Sequence, residues 1–236
     1  MLQELFGNEN IPALSGCSID SKNICEGDIF FPIKGSRVDG HDFIGEAINN
    51  GASLVISEKN IANNSTLNIC VENVVDSIKE IALKWREKTN CEVIGITGSN
   101  GKTSTKEILS KIISYSKKTM FSKGNYNSTM GLPLSMFSIS KNDEFCILEM
   151  GANKSGEIAE LCRIAKPNHG LITNISNAHN KYFGGIENIA RNKLQLFESL
   201  PSSGYAFINM NDHYLNKLTL ESKKITYGFN GKYNFN

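Results

Sequence analysis

A chain of 236 residues with 25 lysine and arginine side chains against 24 aspartate and glutamate carries a formal net charge of +1. It has no basic field suited to a nucleic-acid backbone and no acidic run of the kind found in disordered tails. The length suits one or two domains with real cores, and no stretch approaches the roughly 20 apolar residues of a membrane span. The cysteines, at 17, 25, 70, 91, 146 and 162, form no Cys-x-x-Cys pair and no zinc-spaced cluster with histidine. Reduced thiols, most of them core fillers, are therefore predicted, in a soluble cytoplasmic protein.

In chain order, residues 1 to about 60 hold the short apolar runs Asp28 to Ile33 and Ala52 to Ser57, separated by Asp-Gly, Gly-Ser and Asn-Asn turn signals. They predict a small α/β unit. Within it, Phe43 to Asn50 reads as a short helix with Phe43, Ala47 and Ile48 on one side and Gly51 as its stop. Asn73 to Thr89 repeats the helical period through Val74, Ile78, Ile81, Ala82 and Trp85. A boundary near residue 89 divides the chain into domains 1–88 and 89–236.

From residue 92 apolar strands alternate with helices: strand 92–97, helix 102–115, strand 145–150, helix 155–165, strand 169–175, helix 186–199 and strand 205–209. The alternation predicts an α/β fold in which a P-loop-type, mostly parallel sheet carries helices on both faces. Ligands of such sheets lie beyond the carboxyl ends of the strands.

The segment Val93 to Thr103 is an apolar strand running into the glycine-rich turn Gly98-Ser99-Asn100-Gly101-Lys102-Thr103. Glycines let backbone N–H groups converge on phosphate oxygens, and a helix starting near Lys102 adds its positive dipole end. Lys102 supplies a mobile charge, and the Thr103 hydroxyl can ligate Mg2+. The usual template has glycine five residues before the Gly-Lys pair, where this chain has Ile96, with Gly95 and Gly98 on either side. Glu149, after the apolar run Phe145-Cys146-Ile147-Leu148, and the loop after Ile175 with Asn177 and His179 belong on the same rim. Singly, such residues are ordinary surface groups; converging on a phosphate loop, they are candidate Mg2+ ligands.

Thr97-Gly98-Ser99-Asn100-Gly101-Lys102-Thr103-Ser104-Thr105-Lys106-Glu107 resembles the phosphate loop of the Mur ligases, the ATP-dependent amide-forming enzymes of peptidoglycan precursor synthesis, which share the glycine offset. The blocks Gly124 to Pro133, Glu149-Met150-Gly151-Ala152 with Gly156-Glu157-Ile158, and Thr173-Asn174-Ile175 with Ala178-His179 resemble the MurF branch. That branch joins D-alanyl-D-alanine to UDP-N-acetylmuramoyl-tripeptide. Near the N-terminus, Asp20-Ser21-Lys22, Gly27 to Phe30 and Asp39-Gly40-His41-Asp42-Phe43 are similar to the segment that holds the uridine nucleotide end of the substrate, with Lys22 where the family usually has arginine. A lysine there keeps the charge without the bidentate fork.

The resemblance implies a γ-phosphoryl transfer from ATP to a substrate carboxylate, followed by attack of the dipeptide amine on the acyl phosphate. It implies that Thr97, Gly98, Ser99, Asn100, Gly101, Lys102 and Thr103 hold ATP. Thr103 and Glu149 would bind one Mg2+, and His179 would help to bind a second. Ser21, Lys22, Asp39, His41 and Asn125 would meet the substrate. Lys193 stands where Mur ligases carry a lysine carbamylated by CO2, so Lys102, Lys193 and His179 form the implied catalytic set. The family continues well past the segments resembling Ile208 to Asp212 and Thr226 to Phe229. These 236 residues are accordingly expected to act as a fragment with weak ligand binding and little turnover, unless a longer or separate chain supplies the rest. The other readings are a folylpolyglutamate synthetase-like amide ligase and a non-catalytic nucleotide-binding module.

Overall fold

The first sheet consists of four short parallel strands in sequence order, β1 (Cys17–Ser18), β2 (Ile29–Phe30), β3 (Leu54–Ser57) and β4 (Leu67–Cys70). The computed structural model describes residues 1–61, 66–177, 183–229, 231 and 233–235, and its internal contacts divide the chain into Met1–Trp85 and Arg86–Asn236. The first unit also contains α1 (Leu2–Phe6), α2 (Ile44–Asn49) and most of α3 (Val74–Glu87). Its core joins Ile24, Phe30, Ile44, Ala47, Ala52 and Val55, so the two apolar runs seen in the sequence meet across β2 and β3.

The helix expected from Phe43 begins one residue later, because Gly40–Phe43 is wound as a 3-10 turn. The Asp39 carboxylate accepts the His41 N–H at 3.0 Å and closes that turn, which leaves Phe43 37% exposed. Helix α3 follows its sequence period, burying Val74, Ile78, Ile81 and Ala82 on one face. Asn73 begins it by accepting the Asp76 N–H at 2.9 Å, and Glu58 accepts the Val74 N–H at 3.1 Å.

The second unit starts within the last turn of α3. There the Arg86 guanidinium donates to the carbonyls of Ala165 at 2.9 Å and Thr89 at 3.2 Å, and to Asn168 Oδ1 at 2.9 Å. Its elements in chain order are β5 (Glu92–Thr97), α4 (Lys102–Ser114), β6 (Thr119–Phe121), α5 (Gly131–Met136), β7 (Phe145–Glu149), α6 (Glu157–Ala165), β8 (His169–Ile172), α7 (Ile186–Glu198), β9 (Tyr205–Asn209) and β10 (Lys223–Tyr227). The strand order is β10-β9-β8-β5-β7-β6, with every neighbouring pair parallel.

Side chains alternate across β5, and the two faces are covered by different helices. Ile94 and Ile96 pack with Ile147, Leu109 and Ile113, which places α4 on one face. Gly95 and Gly170 lie under Leu196 of α7 on the other. The expected parallel sheet with helices on both faces is thus the observed one. Ile96, the residue at the template's glycine position, is fully buried in the strand, so that position is a core position here.

The strand expected over 169–175 stops at Ile172, because the next residues turn aside to bond the phosphate loop. Short β1, β4, β6 and β10, and the one-and-a-half-turn α5, have no counterpart in the sequence reading. All six cysteines are free; Cys91, Cys146 and Cys162 are buried, whereas Cys25 and Cys70 are exposed. Among the described residues no helix is long and apolar enough to cross a membrane.

Candidate functional site

Strand β5 lies between β7 and β8, so the turns leaving all three carboxyl ends share one rim. The turn after β5 is held by neighbouring backbone rather than by its own side chains alone. The Thr97 hydroxyl donates to the Met150 carbonyl at 2.8 Å, just past the end of β7. On the other side, Thr173 Oγ1 and Asn174 Nδ2 donate to the Asn100 carbonyl at 2.6 and 3.0 Å. Ser99 Oγ accepts the Ser176 N–H at 2.9 Å and donates to the Ser176 carbonyl at 3.0 Å. The loop is therefore fixed before any ligand arrives.

Two glycines are required by geometry. Gly98 has φ +150°, and a Cβ there would lie 1.8 Å from Thr173 Oγ1. Gly101 has φ +80° and turns the chain directly into α4, whose first N–H groups have no intrahelical acceptor. Such donors and the helix dipole are of the kind that attract an anion.

Lys102 folds back over the loop, donating to the Gly98 carbonyl at 2.8 Å and the Ser99 carbonyl at 3.4 Å. Burial lowers its pKa, against the opposing pull of Glu149. Thr103 is exposed on the first turn of α4. Glu149, only 2% exposed at the end of β7, has one carboxylate oxygen bonded by Asn127 Nδ2 at 2.8 Å. Its second oxygen is buried with no hydrogen-bond partner. An anionic oxygen left unpaired in a buried site is the feature a cation would complete.

Lys102 and Lys193 line one cavity of about 150 Å3, together with Asn127, Gly151, Asn153 and Glu157. Lys193 is 6% exposed on α7; burial, with the nearby charge of Lys102 second, pushes its pKa down to about 8. A fraction of this lysine is consequently a neutral amine near neutral pH. Glu157 accepts the N–H groups of Asn153 at 2.6 Å and Lys154 at 3.0 Å, which shapes the cavity wall at the start of α6. Asn192, beside Lys193 on α7, accepts the N–H of Gly156, the residue before α6, at 2.9 Å.

Of the residues singled out in the sequence, Gly98, Ser99, Lys102 and Lys193 line this cavity and Glu149 adjoins it through Asn127. Asn125 is exposed in the preceding loop. Asn127, two residues on, is the asparagine that lines the cavity, and sequence reading did not select it. His179 lies outside the described residues. Among the described residues no cluster of three or more His, Cys, Asp and Glu side chains assembles a ready metal centre. A cation here would need ligands from the nucleotide as well as from the protein.

In the first unit, Ser21 is 5% exposed and donates its hydroxyl to Glu46, and the Lys22 N–H is held by Asp20 at 3.0 Å. Lys22 itself is exposed. His41 Nε2 accepts the Glu58 N–H at 3.3 Å, so its Nδ1 donates to Asp39 at 2.7 Å. The His41 backbone N–H, and after it the His41 ring, hold the Asp39 carboxyl below the usual carboxylate range. Asp39 and His41 thus have structural duties in the 3-10 turn.

Residues 96–236 match the Mur ligase middle domain, and residues 13–97 match the Mur ligase family catalytic domain. This chain belongs to the Mur ligase family. It is 39% identical over 200 residues to the UDP-N-acetylmuramoyl-tripeptide–D-alanyl-D-alanine ligase of Rickettsia prowazekii, covering 84% of this chain and 44% of that protein. Against the enzyme of the same name from Bacillus subtilis it is 32% identical over 217 residues, covering 91% and 47%. Among solved structures, MurF ligase of Thermotoga maritima in complex with ADP superposes with TM-score 0.83 at 34% identity, over 94% of this chain and 52% of that one. MurF from Acinetobacter baumannii gives TM-score 0.87 at 29% identity, over 98% and 52%. The Mur ligase segment here thus spans about half the length of the curated relatives it matches.

Proposed function

We propose that this Mur ligase chain contributes the nucleotide site and the UDP-substrate domain of a MurF-type ligase. Such an enzyme forms the amide between UDP-N-acetylmuramoyl-tripeptide and D-alanyl-D-alanine at the expense of ATP. The observation that carries the reading is the convergence, on one rim, of the strapped phosphate loop, Lys102, the unpaired buried oxygen of Glu149 and the buried Lys193. It is supported by similarity to MurF-named proteins across nearly the whole chain.

A carboxylate is a poor acceptor for an amine until an oxygen is converted into a leaving group. Transfer of the γ-phosphoryl group to the tripeptide carboxylate gives an acyl phosphate; the dipeptide amine then attacks the carbonyl carbon, the C–O bond to phosphate breaks, and the amine proton leaves. The loop amides and Lys102 hold the β and γ phosphates, and Lys102 exchanges its loop carbonyls for phosphate oxygens. Thr103 and Glu149 are the groups that would hold one Mg2+, and His179 would help to hold a second. Bound there, Mg2+ would supply charge neutralisation between the two anions.

Lys193 is the proposed carbamate. Its neutral Nζ attacks the carbon of CO2 and releases a proton, turning a buried cation into an anion that suits Mg2+. In 13C-bicarbonate the chain is expected to show a carbamate carbon resonance that Lys193→Ala lacks. The same resonance in both proteins would assign it elsewhere, and its absence from both would exclude the role.

The substrate reading is tested by titrating the chain with UDP-N-acetylmuramoyl-tripeptide, the corresponding dipeptide nucleotide and a folate. Selective binding of the tripeptide nucleotide, with the Lys22→Ala variant weaker, is the expected result. Preference for the dipeptide nucleotide would move the chain to the branch that adds the third residue, and preference for the folate would overturn the MurF reading. Phosphate release with D-alanyl-D-alanine and the product mass report turnover.

A further inference from the structure

Lys106 is fully buried on α4, one helical turn beyond Lys102. An ammonium group removed from water is costly unless it is fixed by acceptors, so its partners identify what it is there to hold. Nζ donates to the Ser122 carbonyl at 2.6 Å and pairs with Glu107 Oε1 at 3.0 Å. Ser122, 1% exposed, is the residue that leaves β6, and its N–H donates to the Ile147 carbonyl at 3.0 Å. Its hydroxyl accepts the backbone N–H of Glu149 at 3.2 Å. From Glu149 the connection continues through Asn127 Nδ2 at 2.8 Å, and the Asn127 carbonyl accepts the Gly151 N–H at 2.7 Å.

We infer that Lys106 is a positioning residue: its buried ammonium ties the phosphate-loop helix to the end of β6 and, through Ser122, sets where the Glu149 carboxylate stands for the metal. The inference rests on the reading of Glu149 as a Mg2+ ligand. A lysine suits the task because its long stem crosses the apolar layer between α4 and the sheet, and its charge bonds a carbonyl more strongly than a neutral donor would. The same helix therefore carries both ends of the site, Lys102 toward the phosphates and Lys106 toward the metal-bearing strand. Nothing in Lys106 touches a reacting atom.

The test uses the whole chain and Mn2+ as the probe, read by loss of the free-ion EPR signal at saturating ADP. Wild type, Lys106→Met and Ser122→Ala are compared, with ADP binding in EDTA and the melting temperature measured beside them. Both variants are expected to weaken Mn2+ binding by about tenfold or more while metal-free ADP binding stays within about twofold. Unchanged or tighter Mn2+ binding in Lys106→Met would overturn the inference, since a mere neighbouring charge would tighten it on removal. Parallel loss of metal-free ADP binding would show a general structural role and overturn it as well. Should Lys106→Met not fold, Lys106→Gln is read by the same criteria, and Ser122→Ala, which deletes one hydroxyl and leaves the carbonyl contact, tests the link from Ser122 to Glu149. A wild-type chain that takes up no Mn2+ with ADP would instead overturn the Glu149 reading, and the inference with it.

Discussion

Lys193 shows how a single buried charge becomes a measurable property. Its folded-state pKa of about 8 lies below the ordinary 10.5, so below pH 8 both folded and unfolded chains hold the proton and the cost of burial is fully present. Between 8 and 10.5 the unfolded chain binds more proton than the folded one, and stability rises with pH. In CO2-free urea denaturation, the stability advantage of Lys193→Met over wild type is expected to shrink by roughly 3 kcal/mol across that window. A difference that does not vary with pH would contradict the burial assigned to Lys193. At this scale the phosphate loop was legible because each of its residue types has a separate electrostatic or conformational duty. Asn127 was not, because an asparagine in a loop full of asparagines acquires its duty only when folding brings Glu149 to within 2.8 Å. Ser21 and His41 stand at the other extreme: their motifs were visible and the His41–Asp39 bond is local, but the bonds to Glu46 and Glu58 arise from tertiary contacts.

The phosphate turn and the strand beneath it fail in different ways when altered. Gly98→Ala forces a residue with a Cβ into φ +150° and against Thr173, so a loss on the order of 1–3 kcal/mol is expected in urea denaturation. Adding Thr173→Ala removes the nearest atom and should restore part of that loss; no restoration would show that strain rather than contact dominates. Ile96→Ala leaves a cavity between β5 and α4, in the cluster with Ile94 and Ile147, and is expected to cost about 2–5 kcal/mol. A cost below about 1 kcal/mol would mean that the layer collapses around the gap. The long helices α3, α6 and α7 could be read in advance because their apolar period spans two or more turns. Strand β6 could not, since Thr119–Phe121 is too short to show a period and is defined by pairing with β7. The early end of β8 likewise depends on a partner, the Asn100 carbonyl, that lies 73 residues away in sequence.

At the scale of the whole molecule, the order β10-β9-β8-β5-β7-β6 follows from a parallel sheet built outward on both sides of the phosphate-loop strand. That arrangement brings segments separated by as many as 77 residues onto one rim, as Ser99 with Ser176 demonstrates. Similarity to Mur ligases extends over both units, while the chain spans about half the length of the curated relatives. This rim is expected to bind a metal–nucleotide through Lys102 and the loop amides. The most direct measurement is calorimetric titration of ADP, with and without Mg2+, into wild type and Lys102→Ala, with circular dichroism to establish that both are folded. Mg2+-strengthened binding in wild type that weakens by about tenfold or more in Lys102→Ala is expected. Equal binding by both folded proteins, or none by wild type, would contradict it.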